Sequence, residues 1–183
     1  MQLQNYYYWF KDAIPHHVCD DIVRYAKSIQ DQMAVTGGYG NKKLNKKEVQ
    51  DLKKKRDSDI VWLAERWIYN AIHPYIHEAN RAANWNFQWD FSESCQFTKY
   101  KKGQYYDWHC DSWDRPYHKP EDLNSHGKQR KLSVTLSLSN DKDYKGGELE
   151  FDMRNQDPDK KANTHILKEI RSKGSLVVFP SDV

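Results

Sequence analysis

The sequence predicts a mainly β fold with supporting α-helices, and two observations lead to this prediction. After Asn84 the chain contains seven short strand-type segments bounded by Gly, Pro, Asn, Asp or Lys, a pattern typical of a sandwich or barrel. Before that point, apolar residues recur at three- and four-residue intervals, which is the spacing of amphipathic helices. The chain has 183 residues, enough for one domain with a sizeable core.

The amino-terminal part begins with an aromatic strand at residues 5–10 and continues into a first helix from Pro15 to about Met33. The lysine-rich segment 42–56 is expected to be a mobile surface loop, with contact to an acidic partner as the alternative. A second helix is expected from about Asp59, and Pro74 predicts a kink or break near His73 because proline removes a backbone donor.

The seven strand-type segments can be given by their bounds. They are 85–91, 94–100, 104–111, 131–139, 147–151, 165–170 and 175–179. The fourth alternates strictly, so its leucines and valine face one side and its hydroxyls the other. A hydroxyl-lined face inside a barrel would leave room for a ligand, whereas the same pattern also occurs on solvent-facing edges.

Composition excludes several classes of protein. The net charge is only +3, which does not indicate the strongly basic surface of a nucleic-acid-binding protein. Three cysteines (Cys19, Cys95, Cys110) form no Cys-x-x-Cys pair, so neither a disulfide framework nor a zinc knuckle is indicated. No segment resembles a leader or membrane span. We therefore expect a soluble protein of the cytoplasm, or of the host cytoplasm if the chain is viral.

The first candidate site is the pair His109 and Asp111, at the end of segment 104–111. Side chains alternate along a strand, so His109 and Asp111 are expected to point the same way and Cys110 the other. Two histidines and one carboxylate with open positions typically hold non-haem Fe(II). A chance His-x-Asp pair at the surface is the alternative, because the chain has eight histidines.

Other histidines are weaker candidates. His73 and His77 lie four apart on the second helix, the spacing of some metal pairs, but no Glu stands between them. His118 and His126 fall in the polar segment 112–130, which is long enough to be a lid over a site, and are expected to be surface residues. His165 is expected one strand too early to be a ligand.

Four ordered motifs together resemble a known family. They are Tyr100-x-x-Gly-x-x-Tyr106-x-x-His109-x-Asp111, the alternating segment 130–139, Tyr144-x-Gly-Gly-Glu-Leu-Glu-Phe151, and Gly174-Ser-Leu-Val-Val-Phe-Pro-Ser181. This set resembles the iron(II)- and 2-oxoglutarate-dependent oxygenases, in particular the prolyl 4-hydroxylase-like branch of bacteria and phages. The resemblance implies a double-stranded β-helix, a cupin-like jelly roll, in a single domain 1–183 with helical support in 1–84 and the jelly-roll core in 85–183.

The resemblance also implies roles for individual residues. His109 and Asp111 would be the first two iron ligands, and Tyr100 would hydrogen-bond the co-substrate, unless it is a packed core tyrosine. Trp108 and Trp113 would flank the substrate, and Asp107 would support the site or be merely exposed. The implied cofactors are Fe(II), 2-oxoglutarate and O₂, with ascorbate as a candidate reductant, and the implied substrate is a prolyl or other residue of a peptide or protein.

The sequence departs from the family pattern at two places. The third iron ligand, a histidine, and the basic residue that pairs the far carboxylate of 2-oxoglutarate are expected after Val183, so the carboxyl end of the domain is expected to be missing from the chain. Ser137 stands where related hydroxylases often have a tyrosine. A catalytically inactive jelly-roll binding module and a cupin-type metalloenzyme that uses no oxo acid stay open as alternatives.

Overall fold

The computed structural model describes residues 6–34, 44–153 and 161–183. Within these ranges the helices are α1 (His16–Ser28), α2 (Lys46–Lys53) and α3 (Arg66–Ala82), with a 3-10 turn at Asp141–Asp143. The strands are β1 (Tyr8–Phe10), β2 (Gln32–Met33), β3 (Arg56–Asp57), β4 (Asp59–Leu63), β5 (Cys95–Lys99), β6 (Tyr105–Tyr106), β7 (Leu132–Leu136), β8 (Glu150–Asp152), β9 (Thr164–Ile166) and β10 (Leu176–Pro180). The chain is thus mainly β with some helices, as the sequence predicts. No helix of the described residues has both the length and the apolar character needed to cross a membrane.

The residues fall into two compact units. The first consists of the chain up to Asp21 together with Arg66–Ser92 and Cys110–Val183. The second consists of Ile22–Glu65 and Glu93–His109. The peptide bond between His109 and Cys110 is therefore one of the places where the chain passes from one unit to the other.

The first unit is organised around strand β10. This strand lies between β1 and β7 in an antiparallel sheet, with Val178 opposite Tyr8 on one side and Val134 on the other. Every residue from Leu176 to Pro180 is buried. A central strand buried on both faces reads as a continuous apolar run, which is what this segment of the sequence shows.

Each face of β10 packs against a different part of the unit. Val177 and Phe179 join a core cluster with Phe151, which lies on the hairpin formed by β8 and β9. On the opposite face, Leu176 pairs with Phe10, and the Phe10 ring contacts Tyr75 of α3 with centroids 5.1 Å apart. The strand therefore has a helix on one side and an aromatic cluster on the other.

The second unit has its own sheets. Strand β4 pairs antiparallel with β2 and β5, and β3 pairs with β6. In β4, Ile60, Val61 and Leu63 are buried, whereas the Trp62 side chain is 50% exposed. Helix α2 begins with a capping box between Asn45 and Glu48.

The first predicted helix ends earlier than the sequence suggests, and the second begins later. Helix α1 ends at Ser28, and Met33 lies in β2, paired with Asp59. The second helix begins at Arg66 because the apolar residues before it form β4. Helix α3 continues through Pro74, so the expected break is absent: Pro74 is on an exposed position, while Ile68, Ile72 and Ile76 stay buried on both sides of it.

The lysine-rich segment was wrongly predicted as a loop. Its described residues form α2, which buries Leu52, and reach β3 at Arg56. Residues 36–41, whose three glycines predict a turn after the first helix, lie outside the described residues. Six of the seven predicted strands have a counterpart in β5 to β10, whereas residues 85–91 form no strand. The hydroxyl face of β7 is not uniform, since Ser133 is buried and Thr135 is exposed.

Gly174 adopts a backbone conformation that only glycine fits here. Its φ is +85°, and an added Cβ would lie 2.3 Å from the carbonyl oxygen of Ile14. The Gly174 carbonyl also accepts a hydrogen bond from the Ile14 backbone N–H at 2.9 Å. This close approach fixes the segment before α1 against the start of β10.

We expect Gly174→Ala to lower the free energy of unfolding by about 3 kcal/mol, since left-handed strain and overpacking add. The control is Gly103→Ala, where φ is +81° but no atom lies within 4 Å of the added Cβ. That variant should lose only about 1 kcal/mol. Equal losses in urea unfolding would show that the contact with Ile14 is unimportant.

His73 belongs to an aromatic cluster of the first unit. Its Nε2 lies 3.1 Å from Ser92 Oγ, and its ring contacts Trp89 with centroids 5.2 Å apart. His77 packs on the same tryptophan at 4.6 Å. Burial lowers the pKa of His73, and the neighbouring His77 lowers it further.

The lowered pKa gives a pH dependence of stability. Because the folded state prefers neutral His73, its contribution is present above the unfolded pKa of 6.5 and is lost as the pH falls below it. Urea unfolding at pH 7.5 and 5.5 should show this loss in the wild type and a smaller loss in His73→Gln. The control His17→Gln, at an exposed histidine, should lose as much stability as the wild type between the two pH values. A loss in His73→Gln equal to that of the wild type would show that His73 does not cause the pH dependence.

Candidate metal and co-substrate site

The segment that bears the predicted ligands is a short strand followed by an extended loop. Gly103, with φ +81°, forms the turn before β6, and the strand ends at Tyr106. The predicted strand over 104–111 is therefore wrong beyond Tyr106, and strand alternation does not place His109 and Asp111. The backbone N–H of Asp107 donates to the Lys55 carbonyl at 2.8 Å, which holds the start of the loop.

His109 is oriented by contacts inside the second unit. Its ring stacks on Tyr106 with centroids 3.6 Å apart and an interplanar angle of 15°. Its Nδ1 lies 2.7 Å from the backbone carbonyl oxygen of Asp107. A carbonyl can only accept, so Nδ1 carries the proton and the lone pair of the neutral ring is on Nε2. This is the tautomer expected of a histidine metal ligand.

Asp107 contributes its carbonyl rather than its carboxylate. The carboxylate accepts a hydrogen bond from the Trp108 backbone N–H at 2.9 Å. The sequence left two alternatives for the Asp107 side chain, support for the site or exposure to solvent, and the residue is exposed. The support for His109 comes instead from the main chain of the same residue.

Asp111 lies near the start of the last stretch of the first unit, Cys110–Val183, and is partly buried. Its backbone carbonyl accepts a hydrogen bond from Arg130 Nη1 at 2.6 Å. The next residue, Ser112, donates its N–H to the Ser181 carbonyl at 2.8 Å. The segment around Asp111 is thereby attached to the chain just after β10.

His109 and Asp111 are the predicted residues that could hold a metal, and each has been described in its own unit. An imidazole Nε2 and a carboxylate are donors that suit Fe(II). Among the described residues, no group of three or more His, Cys, Asp or Glu side chains is arranged to hold a metal ion.

The electrostatic surroundings of Tyr100 include two residues that the sequence did not single out. Its side chain is 52% exposed overall. Burial raises the pKa of its phenol, while the Arg56 charge and a hydrogen bond with Ser58 lower it by less. Arg56 and Ser58 are themselves buried. The hydroxyl is therefore protonated at neutral pH and able to donate.

Arg56 and Ser58 could have been found from their spacing. Arg56, Ser58 and Ile60 recur at every second position, and all three are buried. That is the pattern of one inward strand face. The preceding lysines hid it, because they made the whole segment appear to be a loop.

The two predicted tryptophans are exposed. Trp108 is 57% exposed, and Trp113 is 52% exposed. Trp113 lies at the start of segment 112–130, which is closed by paired backbone hydrogen bonds between Tyr117 and residues 127 and 128. The segment is thus an ordered loop with its own hydrogen bonds.

The remaining histidines have other partners. His126 Nδ1 accepts the Lys119 backbone N–H at 3.1 Å, and its ring contacts His118. His165 stacks on Tyr7 and lies 3.0 Å from its hydroxyl. His73 and His77 pack on Trp89, as described above. None of these histidines joins a group of metal donors among the described residues.

Comparison with known proteins agrees with the motif order. Residues 95–183 match the family model of the 2OG-Fe(II) oxygenase superfamily. No curated protein matches the chain.

Two solved structures are similar in fold. The viral collagen prolyl hydroxylase of Paramecium Bursaria Chlorella virus-1, solved with 2OG, is 20% identical with a TM-score of 0.58, over 97% of this chain and 78% of that one. A Pseudomonas putida prolyl-4-hydroxylase is 17% identical with a TM-score of 0.60, over 98% and 82%. Residues 95–183 are therefore similar to the 2OG-Fe(II) oxygenase superfamily, and the fold of the chain is similar to that of these two prolyl hydroxylases.

Proposed function

We propose that this protein is an Fe(II)- and 2-oxoglutarate-dependent dioxygenase that hydroxylates prolyl or other residues of a peptide or protein. The observation that supports this most directly is the orientation of His109, whose Nδ1 proton is held by the Asp107 carbonyl. The lone pair of the neutral ring is then on Nε2, in a His-x-Asp motif that lies within the residues matched by the superfamily model. The prolyl preference comes from the two structural neighbours, which are prolyl hydroxylases.

His109 and Asp111 would provide two of the metal ligands, and a histidine after Val183 would provide the third. The Ser112 N–H to Ser181 carbonyl contact supports this arrangement, because residues that follow Ser181 start beside the segment that bears Asp111. We further propose that the strands belong to a double-stranded β-helix, as in the superfamily resemblance.

When bound, Fe(II) with 2-oxoglutarate and O₂ supplies the oxidative decarboxylation to succinate and CO₂ that is coupled to substrate hydroxylation. The protein orients the reactants and keeps water out. Tyr100 would donate its hydroxyl to a carboxylate oxygen of 2-oxoglutarate. Trp108 and Trp113 offer exposed aromatic surface to a peptide, and segment 112–130 would cover the bound substrate. Ascorbate would act as an external reductant.

The first test is metal binding without turnover. Mn(II) titration of the full-length protein, followed by electron paramagnetic resonance, should show that His109→Ala binds Mn(II) more than about 100-fold more weakly. Removing a metal ligand weakens binding by more than removing a group that only orients the ligand. Asp107→Ala should stay close to wild type, because the backbone carbonyl that orients His109 is retained. Equal Mn(II) affinity in wild type and His109→Ala would contradict the ligand assignment.

The second test is catalysis. With Fe(II), 2-oxoglutarate, O₂ and proline-rich peptides, the wild type should release succinate and produce hydroxyproline, detected by mass spectrometry. His109→Ala and Asp111→Ala should lose at least about 100-fold in rate, while His17→Ala should retain it. Metal binding without any succinate release would favour the inactive binding module, and turnover that persists in His109→Ala would refute the proposed site.

A further inference from the structure

Strands β1 and β9 of the first unit each have one edge that no described strand covers. Among the described residues, β1 pairs only with β10, and β9 pairs only with β8. Residues of both strands line a single cleft of about 710 Å³, a volume typical of ligand-binding clefts. The cleft is lined by residues 6–9, Met153 and residues 163–165. Two strands that each have an open edge therefore line the same cleft.

On β9 the open edge belongs to Thr164 and Ile166. In an antiparallel pair of strands, residues that hydrogen-bond across the pair alternate with residues that do not. Leu167 donates its N–H to the Leu149 carbonyl at 2.9 Å. The alternation and the register then place the next bonded position of β9 at His165. The main-chain N–H and C=O groups of Thr164 and Ile166 therefore face away from β8.

On β1 the open edge belongs to Trp9. Ser181 donates its N–H to the Lys131 carbonyl at 3.0 Å, which fixes the alternation between β10 and β7. Counting back in steps of two, Val177 also bonds to β7 and therefore does not bond to β1. Trp9 lies opposite Val177, so its main-chain N–H and C=O face away from β10. No described residue hydrogen-bonds the main chain of Trp9 or Thr164 on the open side.

Neither edge carries the features that usually prevent pairing with another strand. Exposed edges are commonly protected by charged residues, especially lysine, or by proline. Strand β1 consists of Tyr8, Trp9 and Phe10, and β9 consists of Thr164, His165 and Ile166, with no Asp, Glu, Lys, Arg or Pro in either. All three residues of β9 are exposed, and Trp9 is 40% exposed. Such edges can accept the main chain of another segment.

The cleft is held in shape by contacts of Tyr7 with the β8–β9 hairpin. The Tyr7 ring stacks on Phe151 with centroids 5.3 Å apart, and the Tyr7 hydroxyl lies 3.0 Å from His165 Nε2. The lining residues include four consecutive aromatic residues at 6–9 and no Asp, Glu, Lys or Arg. The cleft therefore suits an uncharged ligand that presents apolar surface to the rings.

We propose that this cleft binds an extended, uncharged segment of a partner protein as an additional β-strand. The main chain of the segment pairs with the open edge of β9. Its apolar side chains, at every second position, pack on the aromatic residues 6–9. Main-chain hydrogen bonds supply affinity in this mode of recognition, and the aromatic lining supplies the preference for apolar side chains.

Two other occupants fit less well. A proline-rich segment has no main-chain N–H at each proline, so it cannot donate to the open carbonyls. A second folded copy must bring one of its own sheet edges into a concave cleft, whereas a single extended strand can enter it alone. The proposal involves no metal and neither His109 nor Asp111. It is therefore independent of the proposed function, and each can fail without the other.

The first test uses the metal-free, full-length protein and a fluorescently labelled seven-residue peptide of alternating threonine and valine. Fluorescence anisotropy should show saturable binding to the wild type. An analogue with esters in place of its three central amides keeps every side chain but loses three N–H donors. It should bind at least about tenfold more weakly. Equal affinity of the two peptides, or no binding of the first, would overturn the proposal.

The second test changes the protein. Thr164→Pro removes the outward N–H of β9 and obstructs an incoming strand, but it removes no hydrogen bond to β8. It should weaken binding of the amide peptide at least about tenfold. Thr164→Val is the matched control, because it keeps the N–H and the branched shape, and it should bind like the wild type. A folded Thr164→Pro protein with wild-type affinity would contradict pairing with β9.

Folding is checked by circular dichroism and the midpoint of thermal unfolding. Should Thr164→Pro fail to fold, Trp9→Thr replaces it, since this variant keeps a strand-forming residue and removes exposed aromatic surface from the cleft. It should weaken the peptide about tenfold. Wild-type affinity in Trp9→Thr would show that the aromatic lining does not bind the segment.

Amide hydrogen exchange, followed by nuclear magnetic resonance, identifies the paired edge. When the peptide binds, exchange at Thr164 and Ile166 should slow at least about tenfold, because their N–H groups become hydrogen-bonded. The His165 N–H, which already faces β8, should change less. Exchange at Thr164 and Ile166 that is the same with and without peptide would refute the added strand.

Two further measurements distinguish the occupants. A proline-rich peptide of the same length should bind at least about tenfold more weakly than the threonine–valine peptide. Equal or tighter binding would show an aromatic groove for proline rather than a strand site. Sedimentation velocity should show no self-association that depends on Thr164. A dimer that Thr164→Pro dissociates would assign the cleft to a second copy and overturn the partner segment.

Discussion

Burial of strand β10 on both faces is the constraint on which the first unit depends. Five consecutive buried residues require cover on each side, and α3 and the Phe151 cluster provide it. Burying such a strand removes a large apolar area from water, at roughly 25 cal/mol per Å². The functional consequence lies at its end, where Ser181 accepts the N–H of Ser112. The same strand that organises the core thus positions the chain beside Asp111.

The second unit orients His109 by different means. There the backbone carbonyl of Asp107 and the ring of Tyr106 hold His109, and a buried guanidinium packs on that same tyrosine. These are short-range contacts within and beside the β3–β6 pair. They need no large core, but they depend on the β3–β6 register that brings Arg56 opposite Tyr106. Electrostatics and ring stacking therefore position the polar groups of this unit.

Much of the candidate site was predictable because its residues are close in sequence. A turn glycine, a tyrosine and a His-x-Asp pair within twelve residues were enough to indicate metal chemistry once the other three motifs were added. The sequence did not predict Arg56 and Ser58, which lie more than forty positions before Tyr100. Residues so distant in sequence come together only in the folded chain, and the lysine-rich helix α2 just before Arg56 concealed the buried positions. A segment with many charged residues is usually exposed to solvent, yet helix α2 buries its Leu52 side chain.

By itself the sequence determined the mainly β class and the approximate positions of six of the strands, since alternation and turn residues are local properties of the chain. The metal-binding roles of His109 and Asp111 stay a prediction from motif order. Only the tertiary structure decided that the apolar run 59–63 is a strand rather than the start of a helix, because its partners β2 and β5 lie far away in sequence. It also decided which group orients His109, since the Asp107 carbonyl and carboxylate differ only in where the folded backbone directs them. The sequence gives the identity of each side chain, whereas the pairing of distant strands depends on tertiary contacts throughout the fold.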